Sequence, residues 1–149
     1  MSFTNYISKG LAVLGMGLLL NCSLDYKEAN DNAVEKLRQR LLIERFSEIY
    51  HDSSEVTRAQ LTQDEFVNKM TAFTSILKDI DKDLYWKRDS RGFPDEAVYS
   101  EDNWSSLILE KDSRKINVQL EWNDPFRLCA VSIDGDIEQS GIRFFRNCD

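Results

Sequence analysis

The sequence predicts an α+β domain in which two N-terminal helices pack on one face of a four- to five-stranded antiparallel meander. Three observations carry that prediction. Apolar residues recur at steps of three and four as far as about Asp81. From Leu84 onward the apolar period is two. Turn-forming clusters punctuate the second half: Lys111-Asp112-Ser113-Arg114, Asn123-Asp124-Pro125 and Asp134-Gly135.

The first helix is expected from about Ala33 to Tyr50, where Val34, Leu37, Leu41, Leu42, Phe46 and Ile49 form one stripe. His51-Asp52-Ser53-Ser54 breaks the pattern and reads as the interhelical turn, with Asp52 or Ser53 capping a backbone N–H. The second helix has the clearest local signal. Thr62-Gln63-Asp64-Glu65 matches a capping box, and Leu61 and Phe66 stand where a hydrophobic staple pairs them. Phe66, Met70, Phe73, Leu77 and Ile80 then mark its buried face, and the helix should end near Asp81.

Leu84 to Arg88 reads as the first strand, and Asp89 to Asn103 as a long polar connection containing Tyr99. Trp104 to Glu110 is the second strand. Lys115 to Trp122 alternates cleanly, with Ile116, Val118, Leu120 and Trp122 on one face. That is the mark of a half-buried antiparallel strand. Phe126 to Ile133 follows, and Ile142 to Arg146 makes a short edge strand.

A length of 149 residues fits one folded domain. A hydrophobic fraction of 42% is enough to build a core, which excludes general disorder. The formal charge of -7 argues against a nucleic-acid partner, because phosphate binding needs clustered Lys and Arg. The single histidine, His51, excludes any site that needs two.

Residues 1–21 read as an export signal. Lys9 precedes an unbroken apolar run from Leu11 to Leu20, after which the chain turns polar. The run is too short for a membrane span, which needs about 20 apolar residues, and suits a signal core. Leu19-Leu20-Asn21-Cys22 resembles the lipobox of bacterial lipoproteins. In that family the cysteine is acylated and the signal is cut just before it. The resemblance implies that Cys22 is the lipidated first residue of the mature chain. Asn21 departs from the small residue usual at that place. Ser23, where an Asp retains such proteins in the inner membrane, implies by the same resemblance transfer to the outer membrane; a periplasm-facing anchor is the expectation, although Ser23 does not choose the face. Residues 22–32 would be a tether, and 33–149 the domain. The element order also resembles the small cystatin-like and nuclear-transport-factor-like envelope lipoproteins, and the helix-helix-three-strand lipoproteins of outer-membrane assembly. That likeness rests on order alone and licenses nothing about function.

With Cys22 lipidated, Cys129 and Cys148 remain, and an even remainder in an exported chain reads as one disulfide. Two reduced, buried thiols are the alternative.

Candidate chemistry is sparse. Asp79-Ile80-Asp81-Lys82-Asp83 opens like a calcium loop, but Leu84 and Ser90 stand where Gly and Glu are required. A solvated helix end is the better reading. His51-Asp52-Ser53 sets triad residue types side by side, which rarely gives triad geometry. Glu48-x-x-His51 has di-iron spacing, but a second histidine is lacking. No metal or other cofactor is expected. Trp86, Trp104 and Trp122, with Tyr85 and Tyr99, read first as sheet core. They also offer an aromatic-lined cleft or a partner surface. The expected function is a non-catalytic binding or scaffolding module, anchored to the membrane by acyl chains and holding an unknown protein partner. Immunity toward an envelope-directed toxin is one form of it. The alternative is a carrier or sensor of a small apolar ligand. An enzyme is the third class, and no residues stand out to carry it.

Overall fold

A computed structural model describes residues 27–88, 103–123, 126–135 and 141–148. The signal segment, Cys22, Tyr99, most of the 89–103 connection and Asp124-Pro125 lie outside the described residues. Within them, α1 spans 27–42, α2 Phe46–Asp52, α3 Glu55–Gln60 and α4 Gln63–Ile80. The strands are β1 Trp86–Arg88, β2 Asn103–Lys111, β3 Arg114–Asn123, β4 Arg127–Gly135 and β5 Ile142–Arg146. They form one open antiparallel sheet in the order β1-β2-β3-β4-β5, with the helices packed against one face. The predicted fold class is therefore the observed one. Among the described residues no helix is long and apolar enough to cross a membrane.

The helical half is more divided than the apolar stripe predicts. The single helix expected over 33–50 is two, α1 and α2. The break is a Schellman turn: Arg45 N–H donates to the Arg40 carbonyl at 2.9 Å, and Glu44 N–H to that of Leu41 at 3.3 Å. Glu44 takes the left-handed conformation, φ 56°, that glycine usually supplies. Lys78 on α4 holds the turn, pairing with Glu44 Oε1 at 2.8 Å and reaching the Leu42 carbonyl at 3.4 Å. The stripe continues through Phe46 and Ile49, both buried, so periodicity alone conceals the break.

The expected tether also shortens. Residues 27–32 are already helical, and Asn30 is buried. Its Oδ1 accepts from Ser105 Oγ at 2.9 Å and from Arg88 Nη2 at 2.8 Å. Arg88 also pairs with Asp31. The start of α1 is thus fastened to β1 and β2 by a buried polar group that must be satisfied.

The expected turn at 51–54 holds the last residues of α2 and leads directly into a further helix, α3. Neither Asp52 nor Ser53 caps it. Ser54 does, its Oγ accepting from Thr57 N–H at 3.1 Å. With six residues and one buried side chain, Thr57, this helix leaves no apolar period in the sequence. The capping box of α4 forms as read, with Glu65 N–H on Thr62 Oγ1 and Thr62 N–H on Glu65 Oε2. Phe66, Met70, Phe73 and Leu77 are fully buried along it.

Asp81 ends α4 and organises the passage into the sheet. Its carboxylate accepts from the N–H groups of Asp83 and Tyr85 and pairs with Lys111 at 3.3 Å. Burial opposes its charge, but the two backbone donors and Lys111 outweigh that and hold its carboxyl below the usual value. Arg38 on α1 donates to the carbonyls of Asp83 and Leu84, at 2.7 and 2.8 Å.

Register separates the two faces of the sheet. Leu107, Leu109, Ile116, Val118, Leu120, Trp122, Val131 and Ile133 face the helices and are buried. A bulge between Val131 and Ser132 lets Phe144 and Phe145 both turn inward, against Phe73 and Phe66, with ring centroids 5.3 and 5.2 Å apart. In a second bulge, Glu121 pairs with Ala130 and Trp122 with Leu128, so Cys129 is the extra residue between them. The predicted disulfide is present: Cys129 joins Cys148 across a Cα–Cα distance of 5.1 Å, pinning the chain just beyond β5. Asp134-Gly135, expected as a turn, stays in the ladder opposite Asn117 and Ile116. Gly135 sits at φ 124°, and a Cβ there would meet the Lys115 carbonyl oxygen at 2.7 Å.

Candidate functional site

Among the described residues a concavity lies where α1 and α2 meet the ends of β3 and β4. Ala29, Ala33 and Leu37 follow one another at steps of four along α1, so they share a face. Two alanines in the outer part of that row leave space that larger side chains would fill. Leu37, Ile49, Trp122, Leu128 and Phe126 complete an apolar floor, and Lys36, Arg40 and Asp52 stand among the lining residues. The space amounts to about 260 Å³.

Two features fix the floor. The Trp122 indole N–H donates to Ser105 Oγ at 3.0 Å, which holds the ring in place and extends the network through Asn30. The Leu128 carbonyl accepts from Ser54 N–H at 3.1 Å and is approached by Thr57 Oγ1 at 3.5 Å, so β4 is tied to the start of α3 beside the cleft.

At the mouth, Asp52 Oδ2 lies 2.7 Å from Arg40 Nη1 and 3.1 Å from Lys36 Nζ. The bond from Arg40 does most to hold the Asp52 carboxyl below its ordinary value. Partial burial works against it, and Lys36 adds to it. Arg40 is mostly covered and also approaches Glu48, which pairs with Arg45 at 2.9 Å. Lys36 remains largely in solvent.

The aromatic residues singled out in the sequence do not form one surface. Trp122 is buried and lines the cleft. Trp86, opposite Leu109, faces the helices from the β1 edge and packs against the core. Trp104 pairs with Glu121 and therefore lies on the other face of the sheet. Tyr85 is 68% exposed, with the Arg38 guanidinium 5.0 Å from its ring centre. Tyr99 lies outside the described residues.

Other sequence candidates resolve into structural roles. Ser53 is buried, and its Oγ donates to the Tyr50 carbonyl at 2.6 Å, while Asp52 is engaged by Arg40 and Lys36. His51 is exposed and stacks edge-on against Tyr50, so the 51–53 run is not a triad. Asp79 pairs with Arg114 at 2.8 Å. Among the described residues no cluster of His, Cys, Asp and Glu suits a metal ion.

The residues that sequence reasoning missed are Lys36, Arg40, Asp52 as their partner, and Phe126. The available signal was the spacing of Ala29, Ala33 and Leu37 with Lys36 and Arg40 alongside, which describes a small-residue helix face with a basic flank. No family model matches the chain, and no curated protein or solved structure matches it either.

Proposed function

We propose that this chain is a lipid-anchored protein of the bacterial envelope that acts as a non-catalytic binding module. The anchor would be Cys22, in keeping with the Leu19-Leu20-Asn21-Cys22 resemblance to lipoproteins. Several acyl chains give stable attachment, at about 0.8 kcal/mol for each buried CH₂. The disulfide suits an oxidising compartment such as the periplasm.

The observation that carries the binding role is the unequal treatment of the two sheet faces. The described helices cover one face. The other presents Glu110, Gln119, Asp134, Arg143 and Arg146 exposed, with Trp104 and Ile108 half-buried between them. An aromatic and an aliphatic side chain within a polar, mixed-charge field is the composition of a protein-binding surface.

Two measurements test this. Intact mass of the chain expressed in a bacterium with its own signal should match cleavage before Cys22 plus acyl chains, with no alkylatable thiol. An unlipidated chain retaining residues 1–21 would overturn the anchor. A photo-crosslinker at Gln119 should capture one discrete envelope protein, while the same group at exposed Thr71 on α4 should not. Equal capture at both positions, or none at either, would overturn the binding face.

A second reading is favoured by a separate observation. The cleft beside Trp122 is preformed and apolar-floored, as small-ligand sites are. In this reading the module carries or senses a small molecule there.

A further inference from the structure

We infer that the cleft selects amphipathic acids: short apolar molecules ending in a carboxylate or another singly charged anionic head. The inference deepens the small-ligand reading and rests on it. Three observations lead to it.

The first is the division of the site. Leu37, Ile49, Trp122 and Leu128, all nearly buried, form the apolar wall of the lining, with the Trp122 indole N–H committed to Ser105, while Lys36, Arg40 and Asp52 supply its polar part. Such a wall rewards an apolar body through the area it removes from water. The space of about 260 Å³ lies just below the usual range for ligand sites, which favours a short apolar body over a diacyl lipid.

The second is the convergence at the mouth. Lys36 Nζ and Arg40 Nη1 both reach one oxygen atom, Asp52 Oδ2, at 3.1 and 2.7 Å. The protein's own carboxylate thereby marks a point where two cations stabilise an anionic oxygen. Lys36 has three donors and, among the described residues, a single ion-pair partner. It is also largely exposed, so it can turn to a second carboxylate without breaking the more covered Arg40–Asp52 bond.

The third is the local charge. Among the described residues, Lys36, Arg40 and Arg45 pair with Asp52 and Glu48 in this cluster, which leaves it net positive on a chain whose formal charge is -7. An acidic protein repels anions generally, so a basic mouth beside an apolar floor is a specific exception. A cationic amphiphile would meet Lys36 and Arg40 and be disfavoured. A neutral one would gain the floor alone.

The test uses the purified full chain and three eight-carbon probes: octanoate, octanol and octylamine. The readout is the indole N–H resonance of Trp122, which reports this site and is unmoved by partition of the probe elsewhere. Octanoate should shift it saturably. Octanol should bind roughly tenfold more weakly and octylamine more weakly still, the scale of one charge-assisted contact. Lys36→Gln should reduce octanoate to the level of octanol, leaving octanol unchanged. Ala33→Leu, which fills the space, should abolish all three. If octanol or octylamine matches octanoate, or if Lys36→Gln weakens all probes alike, the selection for acids is wrong while the cleft remains a ligand site. If no probe shifts the resonance saturably, both the selection and the small-ligand reading fall.

Discussion

The two ends of the helix–sheet interface are built differently. At the α4 end, Phe66 and Phe73 meet Phe145 and Phe144, ring against ring, and all four rings are buried. At the α1 end, Ala29 and Ala33 face Trp122 and Leu128, and a cleft remains. The same sheet face serves both ends, so side-chain size on the helix decides which part closes. A close-packed interior transmits any loss of volume as lost stability, whereas a preformed gap carries its cost already.

That contrast sets the largest expected effect. Phe73→Ala should cost about 3–5 kcal/mol in denaturant unfolding, because the ring is fully buried and touches Phe144. A loss under about 1 kcal/mol would mean that the α4 end is less tightly packed than its burial implies.

Replacing both Cys129 and Cys148 by Ala comes next, at about 3 kcal/mol for the loop their bond closes. Because the bond pins β5, native-state hydrogen exchange in the variant should rise first at Ile142–Arg146, while α4 keeps its protection. Uniform loss across the domain would contradict a local role.

Ser105→Ala tests how the cleft floor is held. It strips the partner from the Trp122 indole N–H and one donor from Asn30, both in buried surroundings. A cost of about 1–3 kcal/mol is expected. Ser105→Thr, which keeps the hydroxyl, should recover part of it. Equal losses in both variants would point to packing instead.

The fold was legible wherever the signal was local. The Thr62–Glu65 capping box lies within four residues, and the Ile116–Trp122 alternation within seven, so each formed where the sequence placed it. The Cys129–Cys148 pairing was expected on the condition that Cys22 is set aside as an acylated residue, and the bond itself is present. The α1–α2 break did not announce itself, because Glu44 adopts a glycine conformation with support from Lys78, 34 positions away. Asn30 looked like tether because its partners, Arg88 and Ser105, are far along the chain. The cleft was illegible for the same reason. Its floor joins α1 to Trp122 and Leu128, and its mouth joins Lys36 to Asp52 across 16 positions. Of the described aromatic residues chosen from the sequence, Trp122 alone lines it, since strand register sends Trp104 to the other face.

The mouth of the cleft gives the smallest effect. Asp52 ionises more readily folded than unfolded. Its contribution is therefore present above its unfolded value of about 4 and is lost as pH falls through the lower folded value. Asp52→Asn should lower stability slightly at neutral pH and flatten its decline on acidification, with the two curves meeting at low pH. The group is half exposed, so solvent keeps the difference small. Curves that stay parallel through acid would show that the pairing with Arg40 and Lys36 contributes nothing.

The most direct test of the closed-end, open-end account is the unfolding free energy of Ala33→Leu beside that of the wild type. Ala33 lines free space on a helix that tolerates leucine, so the variant should match or exceed wild-type stability. A loss of about 1–3 kcal/mol, the usual cost of overpacking a filled core, would show that the α1 end is as closed as the α4 end.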